Sequence, residues 1–262
     1  MPPAQAMPLN QAVPPDPWAD LRRHTPARIA LGRTGMSLPT QEVLRFALAH
    51  AQARDAIHVP LDGPALAEEL RSQGWPDVIV LDSQAQDRQD YLLRPDKGRR
   101  LHPASAARLA AWPRPADGPP DLVLVVGDGL SSLGIGQHSA ALLAAIRAAL
   151  APGLRLGPLV LARHARVALA DEVGEILNAG MVAILIGERP GLSAPDSVGI
   201  YLTHTPRIGC HDAQRNCLSN IRPAGQSLAA AAHRLAWLVT QARRLGLTGI
   251  GLKDHSSLSP PA

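Results

Sequence analysis

The sequence is poor in aromatic residues and lysine, and it contains no long apolar run. Aromatics make up 3% of the 262 residues although 46% are hydrophobic, so a core must be built from Ala, Leu, Val and Ile. This composition favours helices packed on a parallel sheet over an aromatic-rich sandwich or a base-stacking nucleic-acid module. No apolar run approaches the ~20 residues that span a bilayer. The N-terminus also lacks the basic start and apolar core of a secretory signal.

Lysine is nearly absent, because Lys97 and Lys253 are the only lysines among 26 basic residues. The arginines are scattered among 22 acidic residues and form no basic stripe of the kind that binds nucleic acid. We therefore expect no nucleic-acid partner, despite a formal net charge of +4. Arginine forks at subunit contacts or against an anionic ligand are the expected use of this residue.

Cysteine is also scarce. Cys210 and Cys217 have neither a zinc-site spacing nor the number needed for a disulfide framework. His204, His211 and Asp212 suit no common metal site, so we expect no bound metal ligated by the chain. A reducing cytoplasm is the simplest setting.

Proline-rich stretches divide the chain. Residues 1–17 are predicted to be a disordered Pro-rich tail, and residues 18–118 a smaller, mostly helical N-terminal region. The stretch at 112–120 is the best internal boundary. Residues 119–254 are predicted to form an α/β domain, followed by a mobile C-terminal tail at 255–262.

The periodicity predicts an α/β fold with a Rossmann-like parallel sheet flanked by helices. Apolar strands are predicted at 78–81, 121–126, 159–161, 181–186 and 199–203, and helices at 40–56, 64–74, 138–150, 171–178 and 227–245. Alternation of strands and helices favours parallel pairing with right-handed crossovers. Ligands bind beyond the carboxyl ends of such strands. Three loops, at 127–136, 163–167 and 187–199, therefore become the candidate site.

Several interpretations of these loops stay open. The first loop has Ser132 where a dinucleotide fingerprint has its third glycine, and no Walker lysine follows. It offers amides to a polar ligand, or it is a plain turn capped by Ser131 or Ser132. A hydrolase built from Asp128, Ser131 and His138 would lack the Gly-x-Ser-x-Gly elbow.

Glu188 and Arg189 stand side by side where the third loop begins. Their side chains are predicted to point in opposite directions, because neighbouring residues of an extended segment alternate. They are therefore candidates for a ligand and a second-chain contact, or they are ordinary solvated loop residues.

Residues 18–251 resemble the small (light) subunit family of ethanolamine ammonia-lyase, an adenosylcobalamin-dependent enzyme. The matching segments occur in one order and are ARIALGRTG (27–35), YLLRPDKGRRL (91–101), DGLS (128–131), GEIL (174–177), GERPGL (187–192) and CLSNI (217–221). The resemblance implies that cobalamin lies where the small subunit meets a large barrel subunit. The large chain holds the substrate site, and the complex converts ethanolamine to acetaldehyde and ammonia through a radical.

The resemblance also implies cofactor-binding roles for Val167, Glu188 and Cys217, and no catalytic residue in this chain. Corrin amides can donate to the Glu188 carboxylate and to the Val167 carbonyl. Cys217 can pack against the ring edge. Because His211 is followed by Asp-Ala-Gln, the Asp-x-His-x-x-Gly motif of other cobalamin modules is not formed. The base-on form of adenosylcobalamin is therefore expected.

The expected assembly is a hetero-oligomer of several large/small pairs, without nucleic acid or membrane. Family members that enter bacterial microcompartments often have a longer N-terminal extension than this Pro-rich tail, so a cytoplasmic protein is expected and a microcompartment is the alternative. Two other functions stay open: a scaffold subunit with cobalamin held mainly by the large chain, and a stand-alone α/β hydrolase or nucleotide-binding enzyme.

Overall fold

A computed structural model describes residues 16–256 of the chain. Across these residues the α-helices and β-strands follow the order α1 (Thr40–His58), α2 (Gly63–Ser72), β1 (Val78–Asp82), α3 (Arg88–Leu93), α4 (Pro103–Ala110), β2 (Leu122–Gly127), α5 (Ser132–Ala149), β3 (Leu159–Arg163), α6 (Leu169–Ile176), β4 (Met181–Gly187), β5 (Val198–His204), β6 (Arg215–Ile221) and α7 (Leu228–Leu245). The predicted tails at 1–17 and 255–262 lie outside the described residues, except for two positions of each. Within residues 16–256, no helix is long and apolar enough to cross a membrane.

The chain divides into two compact units, residues 1–52 and 53–262, and α1 runs through the boundary. The described part of the first unit holds a short 3-10 turn, Ala19–His24, and most of α1. Glu42 forms ion pairs there with Arg22 and Arg45. A mostly helical N-terminal region was predicted, and this part of the fold is confirmed.

The second unit contains a six-stranded sheet in the order β1-β3-β2-β4-β5-β6. The first four strands in this order are parallel, as predicted for a Rossmann-like α/β fold. β5 runs antiparallel to β4, and β6 antiparallel to β5, so the sheet as a whole is mixed. A parallel crossover needs about a dozen residues or more and usually a helix. Residues 188–197, between β4 and β5, form no helix, and the chain therefore turns back.

Two apolar layers cover the sheet. One is built around α2, α5 and α7 and includes the buried Leu142, Leu143 and Leu235. The other is built around α4 and α6 and includes Leu109 and Val173. Every residue of β2 and β4 is buried, which explains why both strands are continuous apolar runs in the sequence.

Three elements were missed by the sequence prediction: α3, α4 and β6. The two helices are only six and eight residues long. β6 reads Arg-Asn-Cys-Leu-Ser-Asn-Ile, and only positions 215, 218 and 221 are buried, so its apolar signal is too sparse to mark a strand. The domain division at residue 118 stays a prediction, although β1, which precedes that position, pairs with β3 in the same sheet.

Glycine permits the close approach of the loops that leave β2 and β4. Gly129 has φ +57°, and a Cβ built on it would lie 2.2 Å from the Gly187 carbonyl oxygen. The same carbonyl accepts the Leu130 N–H at 2.9 Å. Both the positive φ and the backbone contact therefore require glycine at position 129.

We expect Gly129→Ala to lower the free energy of unfolding by roughly 3 kcal/mol, because the added methyl group meets backbone atoms that cannot move independently. Gly136→Ala is the matched control, since Gly136 lies inside α5 and its Cβ would meet nothing within 4 Å. That change should stabilise the protein by about 0.5–1 kcal/mol. Urea denaturation measures both, and equal midpoints would contradict the prediction.

Candidate functional site

The carboxyl ends of β2, β3 and β4 meet at one edge of the sheet, as the parallel pairing requires. A cleft of about 410 Å³ lies at this edge, and we call it the edge cleft. Its lining includes Tyr91, Leu130, Arg166, Val167, Glu188 and Tyr201. Residues from all three predicted loops therefore contribute to one site.

Asp128 fixes the turn that follows β3. Its carboxylate is buried and accepts the His164 and Ala165 backbone N–H groups, each at 2.9 Å. His164 has φ +54°, an unfavourable conformation for a residue with a side chain. Burial raises the pKa of Asp128, while these two amides and the nearby Arg88 guanidinium oppose that shift. The two hydrogen bonds from these backbone N–H groups hold the turn in place despite its backbone strain.

Arg88 fixes the loop that follows β2. Its Nη1 and Nη2 donate to the Gly129 and Leu130 carbonyl oxygens at 2.7 and 3.1 Å. Its Nε donates to the Ile57 carbonyl oxygen at 2.7 Å, and Nη1 lies 3.7 Å from the Asp128 carboxylate. Burial lowers the pKa of Arg88, and the Asp128 charge opposes that change. A single guanidinium thus connects this loop to the end of α1 and to Asp128.

The segment YLLRPDKGRRL packs against residues that line the edge cleft. Tyr91 is fully buried, and its hydroxyl donates to the Ala165 carbonyl oxygen at 3.3 Å. The Arg166 guanidinium carbon lies 4.3 Å from the centre of the Tyr91 ring. The Arg166 backbone N–H donates to the Gly98 carbonyl oxygen at 2.7 Å. These contacts fix Arg166 and its neighbour Val167 at the edge of the sheet.

Val167, for which the family resemblance implies a cofactor contact, lies half-buried in the edge cleft. Its carbonyl oxygen accepts the Ala170 N–H at 3.1 Å as the chain enters α6. A carbonyl oxygen has two lone pairs, so a second donor can still be accepted.

Glu188 is half-buried, and its Oε2 accepts the Asn220 backbone N–H at 3.0 Å. The β5–β6 ladder is irregular there, and Asn220 has φ +54°. Gly199 makes room for the carboxylate, because a Cβ at that position would lie 3.1 Å from Oε1. The sequence predicted that the Glu188 and Arg189 side chains point in opposite directions. In the structure Glu188 is half-buried and Arg189 is exposed.

Cys217 does not line the edge cleft. It pairs with Tyr201 across β5 and β6, and its thiol and the Tyr201 hydroxyl are hydrogen-bonding neighbours. Burial is the main factor that raises the pKa of both groups, so both are neutral at pH 7. Cys217 and Ser219 are exposed on the sheet face opposite α7, and this open face extends from Tyr201 away from the cleft.

The residues considered for a hydrolase, Asp128, Ser131 and His138, have separate structural roles. Ser131 caps α5 by accepting the Gly134 N–H and donates to the Pro195 carbonyl oxygen, as the plain-turn interpretation expected. His138 contacts Asp196, and Asp128 is engaged elsewhere, so the three residues form no hydrolase triad. Within residues 16–256, no group of three or more His, Cys, Asp or Glu is placed to hold a metal ion.

Arg88 and Tyr91 were missed by sequence reasoning about the site. Tyr91 opens a motif that could have drawn attention to it. Arg88 carries no comparable signal, because its partners are backbone carbonyls 31 to 42 positions away in the chain.

An open α/β sheet with a cleft at the carboxyl ends of its central strands is the arrangement in which doubly wound α/β proteins bind their ligands. Residues 15–253 match the family model described as ethanolamine ammonia-lyase light chain. The chain belongs to this family.

Curated relatives agree over nearly the full chain. An ethanolamine ammonia-lyase small subunit from Azotobacter vinelandii is 53% identical over 93% of this chain and 90% of the relative. One from Pseudomonas aeruginosa is 52% identical over 95% and 92%. One from Ralstonia nicotianae is 52% identical over 93% and 90%. The resemblance found in the sequence is therefore confirmed.

We expect Asp128→Asn to lower the free energy of unfolding by about 2–3 kcal/mol, because an amide can accept only one of the two backbone N–H groups and loses the charge facing Arg88. Asp77→Asn, an exposed position, is the control with the same charge change. Urea denaturation gives the free energies. Limited proteolysis near residue 164 should show faster cleavage in Asp128→Asn, and unchanged cleavage and stability would contradict the role of Asp128.

Proposed function

We propose that this chain is the small subunit of an ethanolamine ammonia-lyase and forms part of its adenosylcobalamin site. The assembled enzyme converts ethanolamine to acetaldehyde and ammonia, and the isolated chain is inactive. The observation that carries this proposal is the edge cleft, where Val167 and Glu188 from successive parallel strands meet in a member of this family. Bound adenosylcobalamin supplies the radical chemistry, and this chain binds and orients it.

The residues present fit a corrin. Its rim carries primary amides, and Glu188 offers Oε1 as an acceptor because only Oε2 is used by Asn220. Gly199 keeps the space beside that oxygen open. Tyr201 and Cys217 offer neutral, weakly polar surface on the open sheet face, where a flat ring can pack.

The cleft also suits a shared site. Pockets for drug-sized ligands measure about 300–1,000 Å³, and cobalamin is larger than such ligands. A cleft of about 410 Å³ therefore holds one edge of the cofactor. We propose that the large barrel subunit covers the remainder, in a hetero-oligomer of several large/small pairs.

The cofactor is proposed to keep its own base on cobalt. His211 is exposed, and its backbone N–H donates to the Gln214 side chain at 2.8 Å in a short 3-10 turn. The sequence around it lacks the motif that presents histidine to cobalt in other modules. A cytoplasmic location is proposed, with a bacterial microcompartment as the alternative.

One observation favours a second function, a scaffold subunit with cobalamin held mainly by the large chain. The bond from Asn220 to Glu188 gives this carboxylate a structural role of its own, since it connects the end of β6 to the end of β4. Cofactor affinity separates the two functions.

We expect Glu188→Gln to weaken adenosylcobalamin binding by the complex with the large subunit about tenfold, because a charged acceptor for a corrin amide is lost. The amide oxygen of Gln can still accept the Asn220 N–H, so the fold is retained. Equilibrium dialysis measures the affinity. Glu68→Gln, at an exposed position of α2, is the control.

Equal affinities for Glu188→Gln and the unchanged complex would favour the scaffold function. Turnover of ethanolamine by this chain without a large subunit would instead support a stand-alone enzyme.

A further inference from the structure

We infer that Arg99 and Arg166 form an anion subsite beside the edge cleft, which takes the phosphodiester of the bound cofactor. The inference rests on the proposed function, because base-on cobalamin carries its base on a nucleotide that a phosphodiester joins to the corrin. It adds a second point of attachment to the one at Glu188.

A second cleft adjoins the edge cleft, and we call it the side cleft. It measures about 320 Å³ and is lined by Arg99, Arg166, Val167, His211 and Arg215, among others. Arg166 and Val167 line both clefts. A ligand that rests on Val167 can therefore extend a side arm into the side cleft.

The positive charge of the side cleft is only partly balanced. Arg215 is buried and pairs with Asp171 and Asp212. Among the described residues, neither Arg99 nor Arg166 forms an ion pair with a carboxylate. An anionic ligand supplies the charge that these two guanidinium groups lack.

In the described part of the chain, the basic residues near Arg99, unlike Arg99 itself, are paired with carboxylates. Lys97 pairs with Asp90 at 2.8 Å, and Arg100 pairs with Glu172 at 2.9 Å. The segment thus commits the basic residues on either side of Arg99 to carboxylates and directs Arg99 to the side cleft. This assigns a role to a motif, YLLRPDKGRRL, that the corrin contacts leave unexplained.

Arg166 is held in a fixed position before any ligand arrives. Its guanidinium stacks on Tyr91, its Nη2 donates to the Tyr91 carbonyl oxygen at 3.2 Å, and its backbone bonds to Gly98. A Cβ at Gly98 would lie 2.9 Å from the Arg166 Cγ, so glycine is needed for this packing. Because the Arg166 side chain is already ordered, binding a ligand costs little of its conformational entropy.

The Arg166 guanidinium also retains unused donor capacity. Its Nε is buried without a hydrogen-bond partner among the described residues. The guanidinium hydrogen bond to the Tyr91 carbonyl oxygen uses Nη2, so other N–H groups of Arg166 can donate to a phosphate oxygen in the side cleft. The same backbone bond from Arg166 to Gly98 positions Arg99, the next residue, beside it. Two arginines that converge on one cleft are a suitable phosphodiester clamp.

Comparison of two ligands tests the inference. Adenosylcobalamin carries the nucleotide and its phosphodiester, whereas adenosylcobinamide has the same corrin without them. We expect Arg99→Gln and Arg166→Gln, each in the complex with the large subunit, to weaken adenosylcobalamin binding about tenfold. Adenosylcobinamide affinity should stay unchanged, and equilibrium dialysis measures both.

The control is Arg108→Gln, which removes the same charge from an exposed position on α4 and should alter neither affinity. Arg99 is also exposed, so its replacement tests the subsite even if Arg166→Gln disturbs packing on Tyr91. Inorganic phosphate is the third probe. It should compete with adenosylcobalamin and leave adenosylcobinamide unaffected.

Equal losses for both ligands, or unchanged cobalamin affinity in Arg99→Gln and Arg166→Gln, would overturn the phosphodiester subsite and leave the proposed function intact. Binding of phosphate at Arg99 and Arg166 without any effect on cobalamin would also overturn it. Failure of the unchanged complex to bind either corrinoid would refute the proposed function itself, and the subsite with it.

Discussion

The buried carboxylate of Asp128 holds the site together. It stands at the end of β2 and accepts two backbone amides from the turn after β3, so two neighbouring strands end in a fixed relation. Arg88 extends the same contact to the loop before α5. Arg166 and Val167 follow directly from this turn, and their positions in both clefts depend on it. Because a buried carboxylate without donors is costly, these contacts are interdependent.

Antiparallel addition of β5 and β6 gives the protein its open surface. A further parallel strand would bring a crossover helix, which would cover the sheet face that bears Tyr201 and Cys217. The return loop leaves that face open. It also places Asn220, at the end of β6, against Glu188 at the end of β4. The mixed sheet thus creates both the acceptor geometry and the flat surface on which the proposed cofactor site relies.

Much of the architecture could be predicted because its signals are local. β2 and β4 are buried on both faces and are therefore apolar throughout, and Ser131 and Ser227 cap the helices that follow them in sequence. β6 could not be predicted in this way, since only three of its seven positions are buried and one of them is Arg215. α3 and α4 are too short to show a full period. Cys217 opens the segment CLSNI, and nothing in that segment indicates that it belongs to a strand.

By itself the sequence determined the family, the central parallel strands and the edge where Val167 and Glu188 meet, because strand direction decides which loops share an edge. Only the tertiary structure decided that β5 and β6 are antiparallel, and that Cys217 lies beside Tyr201 outside the edge cleft. It also decided that Arg88 and Tyr91 support the cleft. Those features arise from contacts between residues distant in the chain. An arginine that bonds to backbone carbonyls leaves no pattern in the sequence, since every residue offers the same carbonyl.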